Sequence, residues 1–598
     1  MRTFLFALLF SVPFLVSGQT AKLAQRYFYD GEYEKAAELY KKLSQENTRN
    51  DYYFDRYTDC LLQLEDYATA EKVISRQIKV YPENVRLYVT YGKLKEAQFE
   101  DEAAKEYYNK AISRLSGNRN QIIRLANVFS TNSKYDLAIE TFLKGATLLK
   151  DKEIFAYNLG ELYRRKGETE KMIGQYLNSL AANPERMGTL RTIFQRYLSD
   201  EDFEVLQKQL YERIQEKRNA LYYPELLTWV FIQRKDYKSA FRQVRALDRR
   251  MKENGMRIFQ LAEIAANDGD YEAAITAYDY IVEEKGTTSS FYLDAKRESL
   301  RCRRSRLTEG YDFEKADLLE LEQMYDTFLA EFGKSKATGQ IIIEFAELEA
   351  LYLNNLDKAI VLLEELIAYP DLNLYVKSNA KLDLADFYLI KGEIWEATLL
   401  YSQVDKLFKD DLLGHEARYR NARLSYFNGD FEWAQSQFEI LKASTSKLIA
   451  NDALDLSVFI MDNIGLDTTT QAMQLYAQAE LLVFQNKYDQ AFAKLDTLKT
   501  GFPMHSLQDD VAFLKAVIYK KQRNYVEAAN YFQLIVDNHQ EEIRADNALY
   551  ELAQLYENQL NDKEKAMELY ERLFVDFNSS ILAVDARKRF RELRGDNI

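Results

Sequence analysis

Helix breakers are scarce in this chain: only 6 of its 598 residues are proline and 21 are glycine. Ala, Leu, Glu, Lys and Tyr are abundant, and no alternating strand pattern stands out, so the composition points to an all-α protein. Cysteine is almost absent. Cys60 and Cys302 stand too far apart in sequence to suggest a disulfide framework, and each reads as a buried thiol. Histidine occurs three times, at His415, His505 and His539. None is paired at metal-ligand spacing and no cysteine lies near them, so no metal site is expected. There is no Gly-rich phosphate loop and no G-x-S-x-G elbow. Carboxylate pairs such as Glu34 with Glu38 and Glu564 with Glu568 fall on single predicted helix faces, where solvation is their ordinary fate. Arg594-Gly595-Asp596 spells an integrin-type tripeptide, but Gly595 reads as the end of a helix. These absences argue for a protein that is not an enzyme and carries no cofactor. Positive charge is also in deficit, with a net charge of −14, which argues against general nucleic-acid binding.

What is present is a ruler. Tyr33, Tyr67, Tyr135, Tyr237 and Tyr271 share a 34-residue spacing, with Asp101, Thr169 and Phe203 on the intervening marks. Three residues after the marks come Ala36, Ala70, Ala104, Ala138, Met172, Leu206, Ala240 and Ala274. Seven after come Tyr40, Ile74, Tyr108, Phe142, Tyr176, Leu210, Val244 and Tyr278. Nine before come mostly small residues, among them Ala24, Thr58, Gly92, Ala126, Gly160 and Ala262. A fixed period of this length marks a helical-hairpin solenoid. The pattern resembles the tetratricopeptide repeat (TPR) family. That resemblance implies a right-handed α-solenoid of hairpins, with the small residue at the close approach of the two helices and the aromatics between hairpins. Eight units cover 19–288, of which 187–220 is a poor copy.

A single compact core does not extend over a chain this long, whereas a solenoid buries each unit only on its neighbours. From 289 to 598 the hairpins continue with a stride of 37 or 38 residues, centred on Ala359, Ala397, Ala434, Ala491, Ala528 and Ala566. This C-terminal array, with its closing helix, resembles TPR proteins of the Tol–Pal system and of outer-membrane protein assembly. One interval, Ala434 to Ala491, holds one helix too many. The extra helix is expected at about 444–465. Leu448, Ala453, Leu456, Phe459 and Ile460 are expected on its buried face, and Thr445 or Ser446 at its cap. It reads either as a partner-specific surface or as a variation in packing. Arg418, Arg420, Arg423, Asn451 and Asp452 lie around it, and buried Arg–Asp pairing between helices accounts for them without a ligand.

Residues 1–18 read as a secretory signal peptide: Arg2, an apolar run from Phe4 to Val16, then Ser17 and Gly18, with cleavage expected near Gly18-Gln19. The run is short for a membrane span, so no transmembrane segment is expected in the mature chain. The other reading is an uncleaved anchor or a poorly packed first helix. No cysteine follows the run, which argues against a lipoprotein anchor. Export without disulfides suggests a Gram-negative periplasm.

In the TPR family the first helices line a concave groove. Carried onto this sequence, the groove candidates are Tyr52, Asn127, Tyr157, Asn158, Arg164, Arg165, Arg191, Trp229 and Phe259, a mixture suited to an extended peptide. Some family members clamp a C-terminal carboxylate with five Lys, Asn and Arg residues. Asn127 and Asn158 match two of those positions, but Ile123, Gly188 and Thr192 replace basic ones, so the clamp is not supported. Arg164, Arg165 and Arg191 form an anionic-ligand patch or neutralise carboxylates such as Glu161. The expected function is a non-enzymatic periplasmic scaffold for protein partners, serving envelope assembly or secretion machinery. A chaperone-like holder of exported chains is the alternative, and a cell-wall or glycan binder a weaker third.

Overall fold

The computed structural model describes residues 19–47, 51–310, 313–443, 446–464, 469–540 and 544–596. The expected leader lies outside the described residues, and so do 444, 445 and 465 at the edges of the extra helix. Among the described residues all regular structure is helical. The chain divides into two compact units, Met1–Ala295 and Lys296–Ile598.

In the first unit, second helices of successive hairpins begin at Tyr33, Tyr67, Asp101, Tyr135, Thr169, Tyr237 and Tyr271. Seven of the eight ruler marks are thus the first residue of a helix. Local chemistry sets that start. Asp66, Asp236 and Asp270 accept hydrogen bonds at 3.1, 3.0 and 3.0 Å from the backbone N–H groups of Thr69, Ser239 and Ala273. Two residues before each start the backbone is left-handed, at Gly31, Glu65, Phe99, Ser133, Gly167, Lys235 and Gly269. The poor copy departs for a visible reason. Ser199 and Asp202 form a capping box that starts its second helix at Asp200, three residues ahead of the Phe203 mark.

Phe99 is the costly member of this series. It holds a φ of +65° while 92% exposed, so its ring gains nothing from the site. Phe99→Gly is expected to raise stability by about 0.5–1 kcal/mol, because glycine carries no steric penalty there. Denaturant titration checks this; a lower midpoint would contradict the turn geometry.

The small positions admit aromatic rings. A Cβ on Gly92 would lie 2.4 Å from the Tyr108 ring, and one on Gly160 would lie 2.7 Å from the Tyr176 ring. Each tyrosine therefore seats on the glycine of its own hairpin. Each also meets the next hairpin, Tyr108 against Phe129 at 5.7 Å and Tyr176 against Phe194 at 6.0 Å between centroids.

The second unit repeats the rule with different letters. Helices starting at Leu356, Ile394, Phe431, Tyr488, Tyr525 and Lys563 follow left-handed residues Asn354, Gly392, Gly429, Asn486, Arg523 and Asn561. Its longer stride is in part longer first helices: Leu374–Lys391 has 18 residues and Leu412–Phe427 has 16, against 13 in Asp51–Gln63. The odd helix runs Lys447–Ile464 and packs on Phe431–Leu441 and Leu412–Phe427. Ser446 caps it, its Oγ accepting from the Ile449 N–H at 3.4 Å. Its buried side is Ile449, Ala453, Phe459 and Ile460, with Leu456 partly covered. Leu448 is not on that side: it is 76% exposed. Ile449 stands one helical turn before Ala453 and takes the slot, leaving Leu448 rotated by about 100°.

Candidate functional site

Three consecutive first helices of the N-terminal unit, Asp51–Gln63, Val85–Ala97 and Arg119–Thr131, place their N-terminal turns along one cleft. The cleft has a volume of about 640 Å³. Asn84 and Asn118 cap the second and third of these helices. Asn84 accepts from the Arg86 N–H at 3.2 Å; Asn118 accepts from the N–H groups of Asn120 and Gln121 at 3.0 and 3.1 Å. The Asn84 amide also donates to Asp51 at 3.2 Å, tying two hairpins together. A second cleft of about 630 Å³ shares Asp51 and Asn84 with the first and is bordered by Tyr81, Pro82 and Glu83.

The walls are braced from below by charge pairs between hairpins. Arg86 pairs with Asp55, and the Thr90 hydroxyl donates to the same carboxylate at 3.4 Å. Burial pushes the Asp55 carboxyl up to about 6, against the pull of Arg86. Lys93 faces Asp59 at 3.8 Å. Above this ladder the cleft offers Tyr52, Asn120, Gln121 and Arg124. Tyr52 lies edge-on to Tyr40, with the Arg56 guanidinium 5.4 Å from its ring centre. The lining is therefore rich in amide and guanidinium donors, at helix N-termini that carry partial positive charge.

The groove candidates read from the sequence divide into groups. Tyr52 lines the cleft, and Asn127 is exposed further along the helix Arg119–Thr131. Tyr157 and Asn158 are half-buried on the helix Ala156–Lys166; the Tyr157 ring is covered by Tyr176 at 5.6 Å and by Arg186 at 5.0 Å. Arg164 and Arg165 both bond Glu161, at 2.7 and 3.2 Å, and Arg164 also lies over Tyr197 at 4.4 Å. Those two bonds hold the Glu161 carboxyl below its usual range, Arg164 contributing most. Arg191 donates to the Glu225 carbonyl at 3.5 Å, and burial lowers its guanidinium from the usual value. Trp229 packs on Phe203 at 6.0 Å, and Phe259 packs on Tyr278 and Phe291 at 5.3 and 5.2 Å. These last two rings are engaged within the hairpin stack.

Asn84, Arg86, Asn118 and Arg124 were not singled out by sequence reasoning. A signal existed for two of them: Asn84 and Asn118 stand one 34-residue period apart, immediately before their helices.

Two strongly raised carboxyls of the C-terminal unit belong to structural ion pairs. Burial pushes Asp383 and Asp510 up to about 7, and each faces an arginine, Arg420 and Arg544. His505 accepts from the Leu507 N–H at 3.2 Å in a turn. Gly595, with a φ of +87°, ends the helix Ala583–Arg594, and Asp596 folds back on Arg594 at 2.9 Å.

Comparison with known proteins bears on the repeat unit. Models described as tetratricopeptide repeat match residues 85–114 and 547–577, one in each unit. A TPR repeat-containing protein of Methanocaldococcus jannaschii is 25% identical over 162 residues, 27% of this chain and 28% of that protein. The chain thus spans little more than a quarter of that relative's length. Among solved structures, a tetratricopeptide repeat protein from Parabacteroides merdae is 14% identical, with 54% of this chain and 99% of that one covered and a TM-score of 0.28. The structure of Naa15/Naa10 bound to HypK-THB is 15% identical, with 97% and 94% covered and a TM-score of 0.27. The 34-residue register, the hairpin geometry and the two matched segments agree that this chain carries tetratricopeptide repeats in both of its units.

Proposed function

We infer that the chain is an exported protein-interaction scaffold whose N-terminal cleft holds an extended peptide segment of a partner. The observation that carries this reading is the cleft across Asp51–Gln63, Val85–Ala97 and Arg119–Thr131. An extended peptide needs partners for its backbone and pockets for its side chains. Asn120, Gln121 and Arg124 supply donors, and Tyr52 supplies an aromatic wall. The asparagine caps and the Asp55–Arg86 pair hold these groups before any partner arrives, which lowers the ordering cost of binding.

The compartment is the periplasm of a Gram-negative cell, and the pathway served is envelope assembly or secretion. Support comes from the leader-like residues 1–18 and from the longer stride of the C-terminal array. The described helices add a compatible fact: none is long and apolar enough to cross a membrane.

Affinity capture from envelope extracts, with the wild type beside a Tyr52→Ala/Arg124→Glu double variant, tests the reading. A few stoichiometric partners are expected, with recovery falling about tenfold or more in the double variant, since both side chains are exposed and their loss leaves the hairpins intact. A broad smear of exported proteins, equal for both forms, would favour a chaperone-like holder instead.

A further inference from the structure

The odd helix builds a second groove in the C-terminal unit. The helix Lys447–Ile464 forms one wall, the start of Gln508–Lys521 the floor, and the turn before Ala583–Arg594 the far edge. Its volume is about 540 Å³, within the range of pockets that hold ligands or several side chains. The geometry is fixed by specific bonds. Asn463 accepts from the Ser506 hydroxyl at 2.6 Å and donates to the Phe459 carbonyl at 3.1 Å. Asp546 accepts from the Ser580 hydroxyl at 2.6 Å.

Charge is the groove's second property. Six aspartates line it, against one arginine, Arg544. That arginine is already committed: it donates to Asp510 at 3.0 Å and lies 5.4 and 5.1 Å from the ring centres of Phe459 and Phe513. The chain itself thus shows the chemistry this floor accepts, a guanidinium held by a carboxylate and aromatic faces. No ion pair among the described residues joins Asp452, Asp455 or Asp462, and all three are exposed. Partial burial first, then Asp455 and Glu416, raise the Asp452 carboxyl above its usual range, against the pull of Arg423. Among the described residues no three acidic, histidine or cysteine side chains converge closely enough to hold a metal ion. The charge is spread along the groove and suits a chain of spaced cations rather than one ion. Apolar surface completes the picture: Leu454 is 43% exposed and Ile581 is 87% exposed at the borders.

We propose that this groove docks a cationic amphipathic segment of a partner protein, its lysines or arginines meeting Asp452, Asp455 and Asp462 and its apolar side chains covering Leu454 and Ile581. Opposite charge steers the encounter and is weakened by salt; the apolar contacts set the register. This site is independent of the N-terminal cleft.

The test uses the full chain and a fluorescent peptide of repeated Leu-Lys-Lys-Leu blocks. Controls are the same peptide with glutamate for lysine and an oligolysine of equal charge. Binding of the first peptide is expected, weakening by about tenfold or more in Asp452→Lys/Asp455→Lys. It should also weaken measurably in Ile581→Ser, and in Asp455→Asn as a milder charge variant. Thermal melts matching the wild type qualify each variant. Three results would overturn the proposal: undiminished binding in the charge-reversed variant, equally tight binding of oligolysine, or loss of binding in Tyr52→Ala/Arg124→Glu alone.

Discussion

Arg420→Met is expected to destabilise the C-terminal unit by about 3–5 kcal/mol, the loss typical when one partner of a buried charge network is removed. Arg420 donates to Asp386 at 2.6 Å and to Glu416 at 2.8 Å, and it faces Asp383 at 3.5 Å. Asp386 also accepts from the fully buried Tyr401. Methionine keeps much of the side-chain volume but leaves three carboxylates without their cation. The effect depends on pH in a definite direction. Burial pushes the Asp383 carboxyl from 3.8 up to about 7, with Glu347 adding to the shift and Arg420 opposing it. A carboxyl raised on folding holds a proton in the native state that the unfolded chain has released. Its contribution is fully present below about pH 4 and is lost as pH rises through about 7. Asp55, raised to about 6, acts in the same sense. Carboxyls lowered on folding, such as Glu161, exert their effect below about pH 5. Wild-type melting temperature is therefore expected to fall between pH 5 and pH 8. Asp383→Asn should flatten that slope and Arg420→Met should steepen it. Thermal melts across this range check the signs, and a wild-type melting temperature that climbed from pH 5 to pH 8 would contradict them.

Gly414→Ala is the second large effect. By propensity alone, alanine inside the helix Leu412–Phe427 gains about 1 kcal/mol. Sterics reverse the sign. An added Cβ would lie 1.9 Å from the carbonyl oxygen of Phe408, a backbone atom that a rotamer change does not relieve. A net loss at the upper end of the ~1–3 kcal/mol range for overpacking is expected. Gly188→Ala is the matched control, because it is exposed in the helix Met187–Tyr197 with open space around it. It should gain about 0.5–1 kcal/mol. Melts of the two variants should move in opposite directions; a Gly414→Ala protein as stable as the wild type would refute the close approach.

How much of this was readable in advance depends on whether a residue belongs to the repeat. The positions three and seven residues after each mark, such as Ala138 and Tyr176, are buried as the period requires, because every hairpin meets the same neighbours. The helix starts were readable for the same reason. The left-handed turn position was harder to see, since its occupants run from Gly31 to Glu65, Phe99 and Lys235, and only the glycines announce themselves. The odd helix has no counterpart to calibrate it, and there the expected face was wrong by one residue, Leu448 for Ile449. Two of the three arginines near it pair with aspartates, but with earlier ones in the chain, and Arg423 lies over the Phe484 ring instead, 5.1 Å from its centre. Arg418 takes Asp405 at 2.8 Å and Arg420 takes Asp386, while Asp452 stays exposed. Sequence spacing does not fix which of several carboxylates a long side chain reaches. The N-terminal cleft was half legible. Tyr52 was found from family offsets and the 34-residue spacing offered Asn84 and Asn118, whereas Arg86 and Arg124 emerge only once three helix N-termini stand side by side.

Hydrogen exchange of the full chain, alone and with a captured partner bound, tests the central claim most directly. The account predicts added protection at the N-terminal turns of Asp51–Gln63, Val85–Ala97 and Arg119–Thr131, together in all three. Partner binding that left these three helices exchanging as in the free protein would contradict it.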